Sequence, residues 1–553
     1  MTVTACDAVI VGAGFGGLRM LWELRSLGLS AAVLEEAPDV GGTWYWNRYP
    51  GARTDSEAWS YCFSFSNELL QEWDWSERYC GQAEILRYLR HVADRFNMRP
   101  DIRFNARVTR ASYDDSAGRW EVVTAAGEVF HSTFFIPATG PLSRPVPPPF
   151  EGLDDFAGEW YLTARWPAED VDFRGKRVGI VGTGSTGVQV VPIVAEVARE
   201  VVVFQRTPNY VIRGGNRRLT AQEWAEIKSR YDEIWKLTQK QGGGFAIAEA
   251  TSTMREIPVE GRHEVLERAW EKGGFHFLFQ TFRDLMVDEA ANELAAEFIR
   301  TEIRSIVKDP AVAELLCPRG YPLGAKRPPV GHSYYEAFNR DNVRLVDVSV
   351  HPVERIIRDG LRTAVADHPL DVLIFATGFD GSTGAMMAMD VRGRDGRSLN
   401  EHWSAGPRTY LGVVVDGFPN MFMISGPQSP FGNIPIVIEN CVRWIGRAIE
   451  HAAASGTGCV EAQPSAVDLW VRETADLFER SLVRRGAIAN SWFVGANVEG
   501  KPVAPLFYFG RADAYFRRLE KVADQGFREL LHRVAPAASP GRTNGSEIQE
   551  WRS

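Results

Sequence analysis

Apolar positions along the chain switch period in a repeated order. Residues 7–35 open with the apolar run AVIV, pass through a glycine cluster, continue as LRMLWELRSLG with apolar residues at helical spacing, and close with SAAVLEE. That order predicts strand, tight turn, helix and strand. It returns at VGIVGTGSTG, with a second strand in REVVVFQRTPNY. Between the two units the pattern predicts a helix from Asp74 to Phe96 and strands from Ile102 to Val123, and FFIPATG closes the first unit. The proline-rich stretch PLSRPVPPPFEG reads as a linker, because prolines cannot continue a sheet. Residues 214–320 are polar and helically periodic, which predicts a helical insertion, and VLIFATGF closes the second unit. The turn Asp416-Gly417-Phe418-Pro419-Asn420 predicts entry into a buried strand, and PIVIENCVRW a helix. The last residues, from about 535 to 553, are rich in Pro, Gly and Ser and read as a loose tail.

Composition narrows the classes. A chain of 553 residues with 45% hydrophobic and 24% charged content is expected to form two or three globular domains. A formal charge of −9, with no basic stripe, argues against a nucleic-acid partner. The six cysteines (Cys6, Cys62, Cys80, Cys317, Cys441, Cys459) lack metal or redox spacing and read as reduced, buried or incidental thiols. No metal site is expected. The first strand starts too early for a signal peptide, and no apolar run approaches the roughly 20 residues of a membrane helix. A soluble, cytoplasmic protein is the expectation.

The glycine clusters carry the chemistry. In AVIVGAGFGG, Gly12, Gly14 and Gly17 stand where a strand turns into a helix, the arrangement that presents backbone N–H groups to a pyrophosphate. Glu35, about 20 residues on at the end of the second strand, is placed to accept from a ribose hydroxyl. Gly182, Gly184 and Gly187 repeat the loop, but here the following strand ends in Gln205, Arg206 and Thr207. An arginine in place of the acid suits a 2′-phosphate, so the contrast points to FAD in the first unit and NADPH in the second. The expected fold is α/β, with two Rossmann-like dinucleotide-binding units and a helical insertion.

Two further stretches give a family resemblance. GGTWYWNRYPGARTD, an aromatic, glycine-rich loop too irregular for a helix or strand, places Gly41, Gly42, Trp44, Tyr49, Pro50, Gly51 and Asp55 on a signature of the Baeyer-Villiger monooxygenases, Gly-Gly-x-Trp followed by Tyr-Pro-Gly-x-x-x-Asp. FAGEWYLTARWP resembles the same family's F-x-G-x-x-x-H-x-x-x-W-P fingerprint through Phe156, Gly158, Trp166 and Pro167, with Leu162 at the histidine position. The resemblance covers about residues 7 to 530. It implies that NADPH reduces FAD, that O2 adds to give a flavin C4a-peroxide, and that a hydrophobic ketone becomes an ester or lactone.

By the same resemblance Arg327 and Asp55 are the catalytic residues, the arginine beside the flavin and the carboxylate aiming it. Lys326 assists with the 2′-phosphate, and Trp492, in SWFVGANVEGK, covers the bound nicotinamide nucleotide. Other cofactor contacts implied in this way are Gly16, Thr43, Trp46, Arg53, Thr54, Tyr61, Val108, Thr183, Ser185, Thr186, Gln189 and Ile434. Segment Ser429 to Pro435, with Phe431 and Ile434, is expected to line an apolar substrate pocket. The implied layout is FAD-binding residues 1–141 and 388–534, NADP-binding residues 142–213 and 328–387, insertion 214–327 and tail 535–553, acting as a monomer or weak homo-oligomer without membrane contact. Leu162 leaves three outcomes open: a working cycle with altered domain motion, an uncoupled NADPH oxidase, or a diverted chemistry such as heteroatom oxidation or hydroxylation. Other classes are a disulfide reductase, for which Cys62 and Cys80 have the wrong spacing, an N-hydroxylase, and a non-catalytic flavin-binding protein.

Overall fold

The computed structural model describes residues 3–533, so the expected tail lies outside the described residues. Two sheets organise them. Strands β1 (Val3–Val11), β2 (Ala31–Leu34), β3 (Ile102–Arg103), β4 (Val108–Asp114), β5 (Arg119–Thr124) and β6 (Val129–Pro137) belong to the first. The second contains β7 (Glu159–Leu162), β8 (Arg177–Val181), β9 (Glu200–Gln205), β10 (Val343–Asp347) and β11 (Val372–Phe375). The chain then returns to the first sheet through β12 (Asp390–Arg392).

The first sheet runs β12-β4-β5-β6-β1-β2-β3, with the β4-β5-β6 meander antiparallel and β6-β1-β2-β3 parallel. The second runs β10-β9-β8-β11-β7 and is parallel throughout. Parallel strands are covered on both faces, so they read as unbroken apolar runs. Val9 and Ile10 in one sheet and Val201, Val202 and Val203 in the other are fully buried accordingly.

Helix α1 (Phe15–Ser26) follows β1, and α2 (Ser185–Val197) follows β8. The insertion, whose longest helix is α3 (Glu289–Ile306), shares one core with the second sheet: Phe298 and Ile299 pack into the same cluster as Val190 and Val194 of α2. Tyr49 and Ala52 of the aromatic loop belong to that cluster too, which seats the loop on α2. Helix α4 (Ile434–Ala454) covers the first sheet beside α1 through Val437, Cys441 and Ile445.

Three local expectations need correction. The helix expected from Asp74 to Phe96 spans only Gln82–Arg95, because residues ahead of it are drawn into other bonds: the Glu84 carboxylate accepts from the Ser76 amide and hydroxyl, and the Tyr79 amide donates to Asn216. The loop 41–55, read as irregular, contains one helical turn, Thr43–Trp46, made possible by Gly42 at φ 52°. The buried segment after Asn420 forms no regular strand. It runs beside β6 through a single bridge, Phe135 to Met421, between Asn420 and Ser425, both at positive φ.

Candidate functional site

Each glycine loop is built by the same steric device. Gly12 (φ 103°) and Gly182 (φ 109°) take a conformation that side chains rarely adopt. A Cβ on Gly17 would stand 1.8 Å from the Gly12 carbonyl oxygen, and one on Gly187 2.1 Å from that of Gly182. These last glycines therefore let each helix close on its turn, and neither lines a cavity.

The N-caps, Gly14 and Gly184, offer no side-chain cap, so the first-turn N–H groups of α1 and α2 are left for an outside acceptor. Space for one exists: a Cβ on Gly184 would meet nothing within 4 Å, and one on Gly14 only Gly42, at 3.4 Å. A dinucleotide fits both loops on these grounds.

A cavity of about 340 Å³ lies against the first loop. Gly12, Gly14 and Gly16 line it, with Glu35, Thr43, Trp44 and Trp46. Tyr61, Val108 and Ile434 complete the contacts expected there. Glu35 is buried, its two oxygens accepting from the amides of Ala13 (2.6 Å) and Ala37 (2.8 Å). Burial pushes its carboxyl upward and these backbone bonds pull it back. The Tyr61 phenol, partly buried and edge-on to Trp44, is pushed by desolvation up to about 12.

A larger cavity, about 870 Å³, shares Thr43, Trp44, Tyr61 and Ile434 with the first. It is lined by Arg53, Thr54 and Asp55 from the aromatic loop and by Gly184, Ser185, Thr186 and Gln189 from α2. The Gln189 side chain clamps the two together: its Oε1 accepts from the Tyr49 hydroxyl (2.9 Å) and the Arg53 amide (3.4 Å), and its Nε2 donates to the Arg53 carbonyl (3.2 Å). Burial, with the Asp55 charge adding to it, pushes the Tyr49 phenol up to about 12.

Arg327 stands at the junction of these pieces. Its Nη2 is 2.7 Å from Asp55 Oδ2, and its Nη1 donates to the Ser185 hydroxyl at 2.8 Å. Its guanidinium carbon lies 5.5 Å from the centre of the Phe275 ring, supplied by the insertion. Asp55 is 5% exposed and Arg327 19%. The second oxygen of Asp55, Oδ1, is buried with no protein partner. A fixed cation, desolvated on one side and facing a cavity that reaches the second loop and adjoins the cavity at the first, can stabilise an oxyanion there.

The remaining residues expected to contact NADPH are divided between the cavity wall and its surroundings. Thr183 and Thr207 do not line the cavity; the Thr183 hydroxyl donates to the Thr207 carbonyl (3.0 Å), tying the second loop to the end of β9. Arg206 is exposed just after β9 and Lys326 lines the cavity; among the described residues neither has a carboxylate within 4.0 Å. Burial and the Arg206 charge lower the Lys326 ammonium to about 8. Two adjacent cations without counter-charges suit a doubly charged anion.

Trp492 also lines the larger cavity, its ring 5.3 Å from that of Phe431 and 5.5 Å from that of Phe507. Its loop is held in place by Asn497 Nδ2 donating to the Phe379 carbonyl (2.8 Å) and Lys501 Nζ to that of Gly381 (3.0 Å). Leu162, on edge strand β7, is partly buried and packs into an apolar cluster with Phe375 and Phe150.

Sequence reasoning missed the wall supplied by the insertion, Phe245, Phe275, Phe279 and Phe282. The available signal was Gly242-Gly243-Gly244 inside an otherwise polar helical stretch. Backbone approaches closely there: the Asn433 amide donates to the Gly243 carbonyl (3.0 Å) and the Ala512 amide to that of Gly242 (2.7 Å).

A profile of the family described as "Pyridine nucleotide-disulphide oxidoreductase" matches residues 9–256. The reactive disulfide in that description has no counterpart among the described residues, where all six cysteines are free and burial raises Cys62 and Cys80 well above the ordinary thiol range. A Baeyer-Villiger monooxygenase of Pseudooceanicola batsensis is 42% identical over 95% of this chain and 96% of its own length. Phenazine N-monooxygenase PhzNO1 of Lysobacter antibioticus is 40% identical over 97% and 98%, and cyclohexanone 1,2-monooxygenase of an Acinetobacter species 41% over 92% and 93%. Among solved structures, an oxidised steroid monooxygenase bound to NADP superposes with TM-score 0.92 at 44% identity, covering 96% of this chain and all of that one. OTEMO in complex with FAD and NADP gives 0.92 at 37%, covering 96% and 100%.

Proposed function

Because the chain belongs to the Baeyer-Villiger monooxygenase family and works as an FAD- and NADPH-dependent monooxygenase, we propose that it inserts one oxygen atom of O2 beside the carbonyl of a hydrophobic ketone, giving an ester or lactone. The observation that carries this reading is the Arg327–Asp55 pair, which lines a cavity that reaches the second glycine loop and shares Thr43, Trp44, Tyr61 and Ile434 with the cavity at the first. On this reading the first loop and Glu35 hold FAD, while Ser185, Thr186, Arg206, Thr207 and Lys326 hold NADPH. When bound, the flavin takes a hydride from NADPH and activates O2 as a nucleophilic oxygen donor.

The protein supplies the charge. Arg327 stays protonated at any working pH, so it keeps the oxygen nucleophile anionic and then stabilises the oxyanion formed as the ketone carbonyl is attacked. Asp55 and the Ser185 hydroxyl hold two edges of the guanidinium, and Phe275 supports its face, which limits how far it can swing. Trp492, with Phe431 and Phe507, closes the cavity against water. Apolar packing of Leu162 supports a working cycle rather than an uncoupled oxidase, since the edge strand is seated without a histidine.

The test is to follow flavin bleaching by NADPH and then screen a ketone panel for esters by chromatography, balancing oxygen uptake against peroxide release. A second reading, oxidation of a ring nitrogen, is favoured by the likeness to the phenazine N-monooxygenase. Turnover of aromatic amines or N-heterocycles without ketone turnover would select it.

A further inference from the structure

The larger cavity is more positive than the oxygenation chemistry requires. Five cations and two carboxylates line it, in a chain whose net charge is −9. Four of the cations are accounted for. Arg327 is paired with Asp55, Arg511 with Glu249 (2.9 Å) and Arg53 with Glu77 (3.4 Å), and Lys326 sits with Arg206 at the cofactor rim. Arg283 is left.

It stands next to Phe282 on the insertion wall, at the exposed end of the cavity, and among the described residues no carboxylate lies within 4.0 Å of it. Carboxylates near it in sequence are committed elsewhere. Asp284 accepts from the Met254 amide, Glu256 accepts from the Thr253 amide and feels the Arg283 charge only from beyond 4.0 Å, and Asp288 caps α3 and pairs with Arg255. Glu249, on the cavity wall, gives one oxygen to the Gly243 amide and the other to Arg511. Arg283 therefore joins a four-phenylalanine wall to a guanidinium with all its donors available.

We propose that Arg283 is a specificity residue that recognises a carboxylate on the substrate, so that the preferred ketone is a hydrophobic keto acid whose acid group sits at the outer end of the cavity. This rests on the ketone-oxygenating reading above. A guanidinium suits the task because its planar fork meets a carboxylate with two parallel bonds.

The test compares a long-chain keto acid with its methyl ester, equal in skeleton but uncharged, on the FAD-loaded enzyme with NADPH. In the parent, kcat/KM should favour the acid. In Arg283→Ala, KM for the acid should rise about five- to tenfold, the range of a partly exposed charged contact, with kcat little changed and the ester unaffected. Arg283→Lys should fall between, and added salt should erode the preference. Equal effects on acid and ester, or no effect on either, overturn the proposal, as does a rise in KM for NADPH alone, which would give the guanidinium to a cofactor phosphate. Calorimetric binding of the keto acid to the oxidised holoenzyme separates the two readings. If neither ketone is oxygenated yet the acid still binds in an Arg283-dependent way, the ketone reaction fails and the carboxylate site stands; binding indifferent to Arg283 overturns the site itself.

Discussion

Replacing Arg327 with alanine tests the centre of the site, and the structure sets the size of its effects. The change leaves Asp55, 5% exposed, with Oδ2 newly unpaired and Oδ1 already without a partner. Breaking a buried ion pair from one side costs about 3–5 kcal/mol, and the partial exposure of Arg327 reduces this to about 2–3 kcal/mol. Melting of the holoenzyme should fall accordingly, and Asp55→Asn added to the same chain should restore most of the loss by removing the orphaned charge.

The effect on the reaction is separate. Losing one preorganised donor at a developing oxyanion removes about 2.7–4 kcal/mol, or 10²–10³ in rate. Anaerobic mixing with NADPH should still bleach the flavin close to the parent rate. In air, ester measured by gas chromatography should fall below about one hundredth of the parent yield, while NADPH is consumed and hydrogen peroxide accumulates. Ester at the parent level from Arg327→Ala would refute the reasoning. A double variant that melts as low as the single one would show that the orphaned carboxylate is not what destabilises it.

Further expectations concern the cofactor sites and the fingerprint. Arg206→Ala should raise KM for NADPH by about tenfold and leave NADH unchanged, since only the former carries a 2′-phosphate; steady-state kinetics with both nucleotides decides. Lys326 is a cation below its lowered pKa of about 8 and loses its charge above it, so NADPH affinity should weaken as pH rises through that region. Bound phosphate favours the charged form and moves the fall upward in pH; the pH profile of KM for NADPH measures it. Gly17→Ala would drive a methyl group to 1.8 Å from the Gly12 carbonyl, so flavin content after purification should collapse. Leu162→His buries a polar ring in the Phe150 and Phe375 cluster and should lower stability by about 1–2 kcal/mol without improving the ratio of ester to peroxide.

Local signals had carried the sequence reading far. Glycine spacing, the acid or base ending each second strand, and the apolar runs gave both dinucleotide units, because a phosphate turn and a buried parallel strand are fixed by neighbouring residues. The fifteen-residue aromatic loop pointed to Asp55 through its resemblance to a family signature, and the single turn at Thr43–Trp46 was not legible without the conformation of Gly42.

What the tertiary structure alone decided was how distant pieces meet. The family resemblance paired Asp55 with Arg327, but no period or spacing relates either to Ser185 or Phe275; packing of the insertion and the aromatic loop into the core of the second sheet brings the four together. The phenylalanine wall was invisible for a related reason: in sequence it looks like the buried side of ordinary helices, and only the close approach at Gly242–Gly244 turns that side toward a cavity. Composition and periodicity settle which residues leave water, whereas long-range packing settles what those residues then face.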